Sequence, residues 1–222
     1  MRLNTFASFA ALVTLLLPCA LFGVDGVILI DQNKALAGNV TPGDTPGFPI
    51  IISQSGSYRL DSNLILPTST NAIEISASNV TIDLNGFSII CPAPSSPVAV
   101  GIRFTGSVSD NNGITIRNGL ISGFIPILTV SQTTQAWTLE SLVLSLGIPG
   151  SSTPIFFGPY SRVWHVTAIS VDLVLNSCPA MIVESIARSI GVQNPSPCVL
   201  VNNATQFYVE SGAGVKYISA KQ

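Results

Sequence analysis

The chain has 222 residues, of which 47% are hydrophobic and only 9% are charged, and its formal net charge is -2. This composition excludes an intrinsically disordered chain, and without a Lys/Arg cluster nucleic-acid binding has no support. The length suits one domain, or one domain with a targeting segment. The apolar residues come in many short runs rich in Val and Ile, which are separated by Asn, Ser, Gly and Pro and are typical of β-strands.

The N-terminus has the pattern of an export signal. Arg2 supplies a positive charge, residues 10–17 form an apolar core, Pro18 interrupts it, and small residues follow up to Gly23. We therefore predict a signal peptide over residues 1–23 and a secreted or cell-exterior location. An uncleaved membrane anchor is the alternative, and no later apolar stretch is long enough to cross a membrane.

Residues 24–60 are predicted to form an N-terminal cap with a loop. A short helix is expected at residues 31–37, and a Pro/Gly-rich loop follows at residues 40–49. Residues 48–60 have the pattern of short strands. They would cover the exposed strand edge of the repeats that follow them. The remainder, residues 61–222, is predicted to form a solenoid, a stack of repeating coils, on the evidence of the repeats described next.

Six segments of this remainder share an alternating strand pattern followed by small or turn-forming residues. They begin at Val80, Ile114, Trp137, Val163, Ile182 and Tyr208. A second short strand precedes each segment, and the unit recurs every 19 to 34 residues. Several short strands per repeat predict an all-β fold, a parallel β-helix of about six coils. A β-sandwich would need antiparallel hairpins, and a leucine-rich repeat would need a regular Leu spacing that is absent.

Three cysteines would remain after removal of the signal. They are Cys91, Cys178 and Cys198, so at least one would stay unpaired. Cys178 and Cys198 are about one coil apart, and stacked strands lie within the reach of a disulfide. However, Cys178 follows its strand while Cys198 precedes its own. The sequence leaves open whether these two form a disulfide or remain buried or free thiols.

One column of the aligned strands is ionisable in every repeat. Its members are Asp83, Arg117, Glu140, His165, Glu184 and Glu210. The residues directly before them, including Trp164, are expected to point inward, so strand alternation should turn the column outward. These six residues are the predicted ligand-binding residues.

Three interpretations of this column compete. It could be a solvated ladder of opposite charges that keeps an apolar solenoid soluble. It could bind a glycan, or adjacent carboxylates such as Glu184 and Glu210 could hold Ca²⁺, although no cofactor or metal site is predicted. It could also be catalytic, with Glu140 and Glu184 flanking His165, the only histidine, as acid–base groups.

Residues 39–49, 56–60 and 79–89 resemble exported bacterial proteins with a right-handed parallel β-helix, which belong to the pectate-lyase-like superfamily. The resemblance covers residues 39–125 and continues as a pattern beyond them. It implies a single-stranded, right-handed helix and an association with extracellular polysaccharides. Polygalacturonases of this superfamily carry Asn-Thr-Asp, Asp-Asp, Gly-His-Gly and Arg-Ile-Lys blocks, and pectate lyases carry an Arg-x-Pro-x-x-Arg block. This chain has neither set.

The predicted function is therefore a non-catalytic carbohydrate-binding or surface-interaction module outside the cell, because a fold by itself does not assign an activity. A polysaccharide lyase or glycoside hydrolase is one alternative, and a purely structural adhesin-like repeat is another. The predicted partner is an extracellular polysaccharide, with no nucleic acid and no membrane contact beyond the signal segment.

Overall fold

The computed structural model describes most of the chain from residue 26 onward. The described residues are 26–67, 70–92, 99–106, 113–124, 128–129, 136–146, 153–177, 179–193, 198–210 and 216–218. The predicted signal peptide and Cys178 lie outside these residues. In the described part, no helix combines the length and the apolar character that a membrane crossing requires.

The described elements are nineteen strands and one short helix. They are β1 (Val27–Ile30), α1 (Gln32–Ala37), β2 (Ile50–Ile52), β3 (Gly56–Leu60), β4 (Leu64–Ile65), β5 (Ile73–Ile75), β6 (Val80–Asp83), β7 (Ser88–Ile90), β8 (Ile102–Phe104), β9 (Ile114–Phe124), β10 (Leu128–Thr129), β11 (Trp137–Leu146), β12 (Thr153–Phe157), β13 (Arg162–Trp164), β14 (Thr167–Leu175), β15 (Met181–Val183), β16 (Ile186–Val192), β17 (Val199–Val201), β18 (Ala204–Glu210) and β19 (Lys216–Ile218).

All the strand pairings that the structure describes are parallel. One path of neighbours runs β1-β3-β6-β9-β11-β13-β15-β17-β19, and a second sheet has the order β2-β5-β8-β10. Each strand therefore pairs with a strand about one repeat away in sequence, as a solenoid requires. The prediction of an all-β parallel solenoid is confirmed, while the number of coils, the handedness and the domain boundaries stay predictions.

The N-terminal segment already belongs to the two sheets. β2 pairs with β5, and β3 pairs with both β1 and β6. The predicted short helix is confirmed as α1, whose N-cap residue Asp31 accepts a hydrogen bond from the Lys34 N–H at 2.7 Å. The side chain of Asp44 is buried in the following loop and accepts from the backbone N–H groups of Val40 and Ile51. These bonds attach the helix and loop to the first strands of the solenoid.

The stacked strands place buried apolar side chains inside the solenoid. A continuous row of them, each at most 3% exposed, consists of Ile82, Ile116, Leu139, Val163, Ile182 and Leu200. Full burial of such a side chain contributes about 1.5–3 kcal/mol to folding. Because strand side chains alternate between faces, the neighbours of this row point outward to solvent.

The chain turns sharply at one residue in each of five successive coils. These residues have left-handed backbone conformations, with φ of 60° at Asn118, 51° at Ser141, 52° at His165, 47° at Glu184 and 49° at Asn202. The pairings before and after the turn keep one register, so they stand in a single row, which we call the corner column. Asn adopts this conformation readily, whereas a residue such as Glu pays on the order of 1 kcal/mol for it.

The residue after each turn points inward, and two of these are polar. Ser185 and Asn203 are buried. The Ser185 hydroxyl accepts from the Val166 N–H at 3.2 Å, and the Asn203 side-chain oxygen accepts from the Ser185 N–H at 2.9 Å. This internal ladder satisfies the polar groups and stabilises the backbone beneath His165 and Glu184.

The two cysteines that the structure describes differ in their oxidation state. Cys91 is buried and carries a free thiol, whereas Cys198 is buried and disulfide-bonded. The option of a free thiol at Cys198 is therefore wrong.

Candidate functional site

The first half of the predicted ionisable column is confirmed in register. Asp83 lies opposite Arg117, and Arg117 lies opposite Glu140. Arg117 Nε donates to Asp83 Oδ2 at 3.0 Å, and the Asn118 amide donates to Asp83 Oδ1 at 3.1 Å. Arg59 stands opposite Asp83 on the other side, so the charges alternate along the row. This half has the arrangement expected of a solvated charge ladder.

The second half of the predicted column is wrong. Beyond Glu140 the row continues with Trp164, Val183 and Val201. His165 and Glu184 lie one position later, in the corner column. Their role in ligand binding is a separate question and stays a prediction.

Glu210 lies on a different face from the other five residues. It is on β18, where it pairs with Val192 of β16. Glu184 and Glu210 are therefore not neighbours in the strand register. Among the described residues, no group of three or more His, Cys, Asp or Glu side chains is placed to hold a metal ion.

A buried polar residue explains the misalignment. Ser161 is fully buried, and its hydroxyl accepts from the Trp137 N–H at 3.3 Å. Ser161 therefore occupies the position that Trp137 holds one coil earlier, because the next residues, Arg162 and Thr138, are paired. An alignment based on apolar residues passes over Ser161 and starts the unit at Val163.

Trp164 is a functional candidate outside the predicted column, because it was expected to point inward. It is 50% exposed. A usable signal was present, because an unpaired arginine is almost never buried, so Arg162 must face outward. Two residues further along a strand, Trp164 must then share the outer face with Arg162.

Trp164 lines a cavity of about 240 Å³ on the outer face of β11, β13 and β15. The other lining residues are Thr138, Glu140, Arg162, Met181 and Val183. Glu140 and Arg162 form no ion pair with any residue that the structure describes. The cavity thus combines an exposed aromatic ring with one carboxylate and one guanidinium group that are available to a ligand.

His165 and Glu184 form a close pair beside this cavity. His165 Nε2 lies 2.5 Å from Glu184 Oε2, and both side chains are about half exposed. The Trp164 and His165 rings are also in contact, with centroids 5.1 Å apart. The hydrogen bond from His165 is the main reason why the pKa of Glu184 is lowered, with smaller contributions from Trp164 and Asn202. Glu184 is therefore a carboxylate at neutral pH.

The chemistry of hydrolysis constrains the catalytic alternative. A glycosidase needs one carboxyl group whose pKa is raised, so that it can donate a proton to the leaving group. Glu184 has the opposite shift. It can stabilise positive charge on His165, but it cannot serve as the proton donor at neutral pH.

A second cavity, of about 500 Å³, lies on the adjacent face between β14 and β16. Ile169 and Ile186 contribute exposed apolar surface to it. The Arg188 side chain at its edge is held by Asp172 through two hydrogen bonds of 2.9 and 2.5 Å. Arg188, the charged residue among the described ones that line this cavity, is therefore already paired, unlike Glu140 and Arg162 at Trp164.

No protein family, curated protein or solved structure shows significant similarity to this chain. The functional argument consequently depends on the geometry of the site.

Proposed function

We propose that this protein is exported and binds an extracellular polysaccharide, without cleaving it, through the cavity around Trp164. The observation that carries the proposal is the half-exposed indole of Trp164 between Glu140 and Arg162. Covering a large, solvent-exposed aromatic ring with an apolar surface lowers the free energy, because both surfaces are removed from water. The less polar face of a sugar ring provides such a surface, and its hydroxyls can bond to the flanking carboxylate and guanidinium groups.

The regular spacing of the stacked strands suits an extended ligand. Glu140, Trp164 and Val183 lie on successive strands, which are spaced about 4.8 Å apart. Glu140 and Glu184 place two carboxylates near the indole, while Arg162 is the single cation among the residues that line its cavity. We therefore expect a neutral polysaccharide to bind more tightly than a polyuronate, which these carboxylates would repel.

The sequence resemblance to the pectate-lyase-like superfamily supports the same function. That superfamily is associated with extracellular polysaccharides, and the N-terminal pattern predicts export. The parallel β-solenoid is compatible with this relationship. The family's catalytic blocks are missing from this chain, which favours binding without turnover.

Binding can be measured by affinity electrophoresis and calorimetry against neutral glucans, xylan and galactomannan and against polygalacturonate. Trp164→Ala is expected to weaken binding at least about tenfold, corresponding to 1.4 kcal/mol. Ile65→Ala is the matched control, since Ile65 is 52% exposed and lies on another strand, β4. Equal affinities of wild type and Trp164→Ala for every ligand bound would show that this cavity is not the binding site.

The close pair of His165 and Glu184 is the one observation that favours an enzyme instead. The same polysaccharides should be monitored for new reducing ends and for unsaturated products. Turnover that His165→Ala abolishes would replace the binding proposal by a lyase or hydrolase. A complete lack of polysaccharide binding would favour the purely structural alternative.

A further inference from the structure

Three side chains meet at the corner next to the proposed binding cavity. His165 Nε2 lies 2.8 Å from Trp164 Nε1 and 2.5 Å from Glu184 Oε2. Hydrogen bonds from the Trp164 and Asn202 side chains also contribute to the lowered pKa of Glu184. These contacts link the exposed indole to the corner column.

The placement of protons decides which atom is the acceptor. An indole N–H can only donate, and a carboxylate can only accept. If His165 Nε2 accepted from Trp164, it would carry no proton, and its lone pair would face the Glu184 oxygen at 2.5 Å. That contact is repulsive, so Nε2 must carry a proton and donate it to Glu184. A hydrogen bond from the Trp164 indole also lowers the pKa of Glu184, so the two rings share this carboxylate as an acceptor.

Glu184 stands at a corner position that does not suit its residue type. Its φ of 47° is left-handed, whereas Asn118 and Asn202 occupy the same corner in other coils with a residue suited to this conformation. Glutamate therefore costs on the order of 1 kcal/mol at this position, a cost that asparagine would avoid.

We propose that Glu184 is the positioning residue of the polysaccharide site, where its carboxylate holds the Trp164 indole and the His165 imidazole in the orientation that receives the sugar ring. This inference rests on the proposed function. A fixed indole binds more tightly than a mobile one, because less side-chain entropy is lost when the ligand stacks on it.

The charged groups around this corner are few. Glu140 stands on the preceding coil opposite Trp164, and Arg162 lies on the same strand as Trp164. We expect that loss of the Glu184 carboxylate releases the indole.

Glu184→Asn is the decisive substitution. Asn suits the left-handed backbone, so the variant is expected to fold at least as stably as wild type, but its shorter side chain cannot reach both rings. Ser141→Asn is the matched control, because Ser141 has φ of 51° in the same corner column, two coils away from Glu184.

The chain contains two tryptophans, so the indole N–H region of a ¹H–¹⁵N spectrum has two signals. Trp137 is fully buried and serves as the internal reference. Glu184→Asn is expected to shift or broaden the Trp164 signal alone and to weaken binding of the wild type's tightest neutral polysaccharide about fivefold or more, the effect of losing at least one hydrogen bond. Ser141→Asn is expected to change neither quantity.

The outcomes separate this inference from the proposed function. An unchanged Trp164 signal in Glu184→Asn would overturn the positioning role, whatever the ligand. A shifted signal with wild-type affinity would overturn the link between positioning and binding. If the wild-type protein bound no polysaccharide, the proposed function would fail and the link with it, while the indole signal would still report whether Glu184 holds Trp164.

Discussion

Substitution of Gly123 by alanine probes how closely the coils are stacked. Gly123 lies near the end of β9, with φ of +87°. A Cβ added there would lie 2.0 Å from the carbonyl oxygen of Cys91, the residue directly after β7. A backbone oxygen cannot rotate away as a side chain can. The substitution must therefore move one coil relative to the other and also force alanine into a left-handed conformation.

Two other glycines separate these costs. Gly86 has φ of +81° and nothing within 4 Å of an added Cβ, so Gly86→Ala is expected to cost about 1–2 kcal/mol from backbone strain alone. Gly119 lies outside the left-handed region, but its Cβ would come within 2.5 Å of the Phe87 carbonyl oxygen. Gly119→Ala is therefore expected to cost about 1–3 kcal/mol from overpacking. Gly123→Ala combines both effects, and we expect about 2–5 kcal/mol.

The assay is urea unfolding followed by far-ultraviolet circular dichroism, with the four proteins compared at one temperature. The urea midpoint should be highest for wild type, lower for Gly86→Ala and Gly119→Ala, and lowest for Gly123→Ala. If Gly123→Ala were no less stable than Gly86→Ala, the contact with Cys91 would not limit coil spacing. The coils that carry β7 and β9 would then be less closely stacked than the structure shows.

Three further predictions concern stability and chemistry. Burial alone would raise the pKa of Asp172, but hydrogen bonds from Arg188 and Ser189 lower it overall. Its stabilisation of about 1–3 kcal/mol should therefore be complete above the ordinary Asp range and decline as the pH falls through the lowered pKa, and Asp172→Asn should remove this pH dependence in urea unfolding. Cys91 is 2% exposed, so a thiol reagent should modify it only on unfolding, and rapid labelling of the native protein would contradict its burial. Arg117→Ala breaks a half-exposed ion pair and should cost less than about 1 kcal/mol, with a still smaller cost in high salt.

The strand periodicity in the sequence determined the fold class. In β9 and β11, Ile116 and Leu139 alternate with Arg117 and Glu140, and the structure has the apolar pair inside and the charged pair outside. This inference succeeds because the side-chain period of a strand is two, so one buried face determines the other. The same logic gave the correct register from Asp83 to Glu140.

Register across a buried polar residue was decided only by the tertiary structure. Ser161 is buried because its hydroxyl bonds to the neighbouring coil, and that partner is 24 residues away in sequence. Local hydropathy treats such a serine as a turn residue, and the alignment then shifts. The consequence was to assign Trp164 to the core and His165 to the outer row.

The corner column was likewise beyond the sequence. Its left-handed residues are as different as Asn118, Ser141, His165 and Glu184, so no residue type marks the turn. The chain bends there because the stacked coils on both sides impose the same geometry on each, and tertiary packing outweighs a local preference of about 1 kcal/mol. The sequence by itself determined that strands stack and, as far as Glu140, which residues fill the solenoid. Only the folded structure decided that an indole, an imidazole and a carboxylate meet at one corner, because their contact depends on the stacking of separate coils.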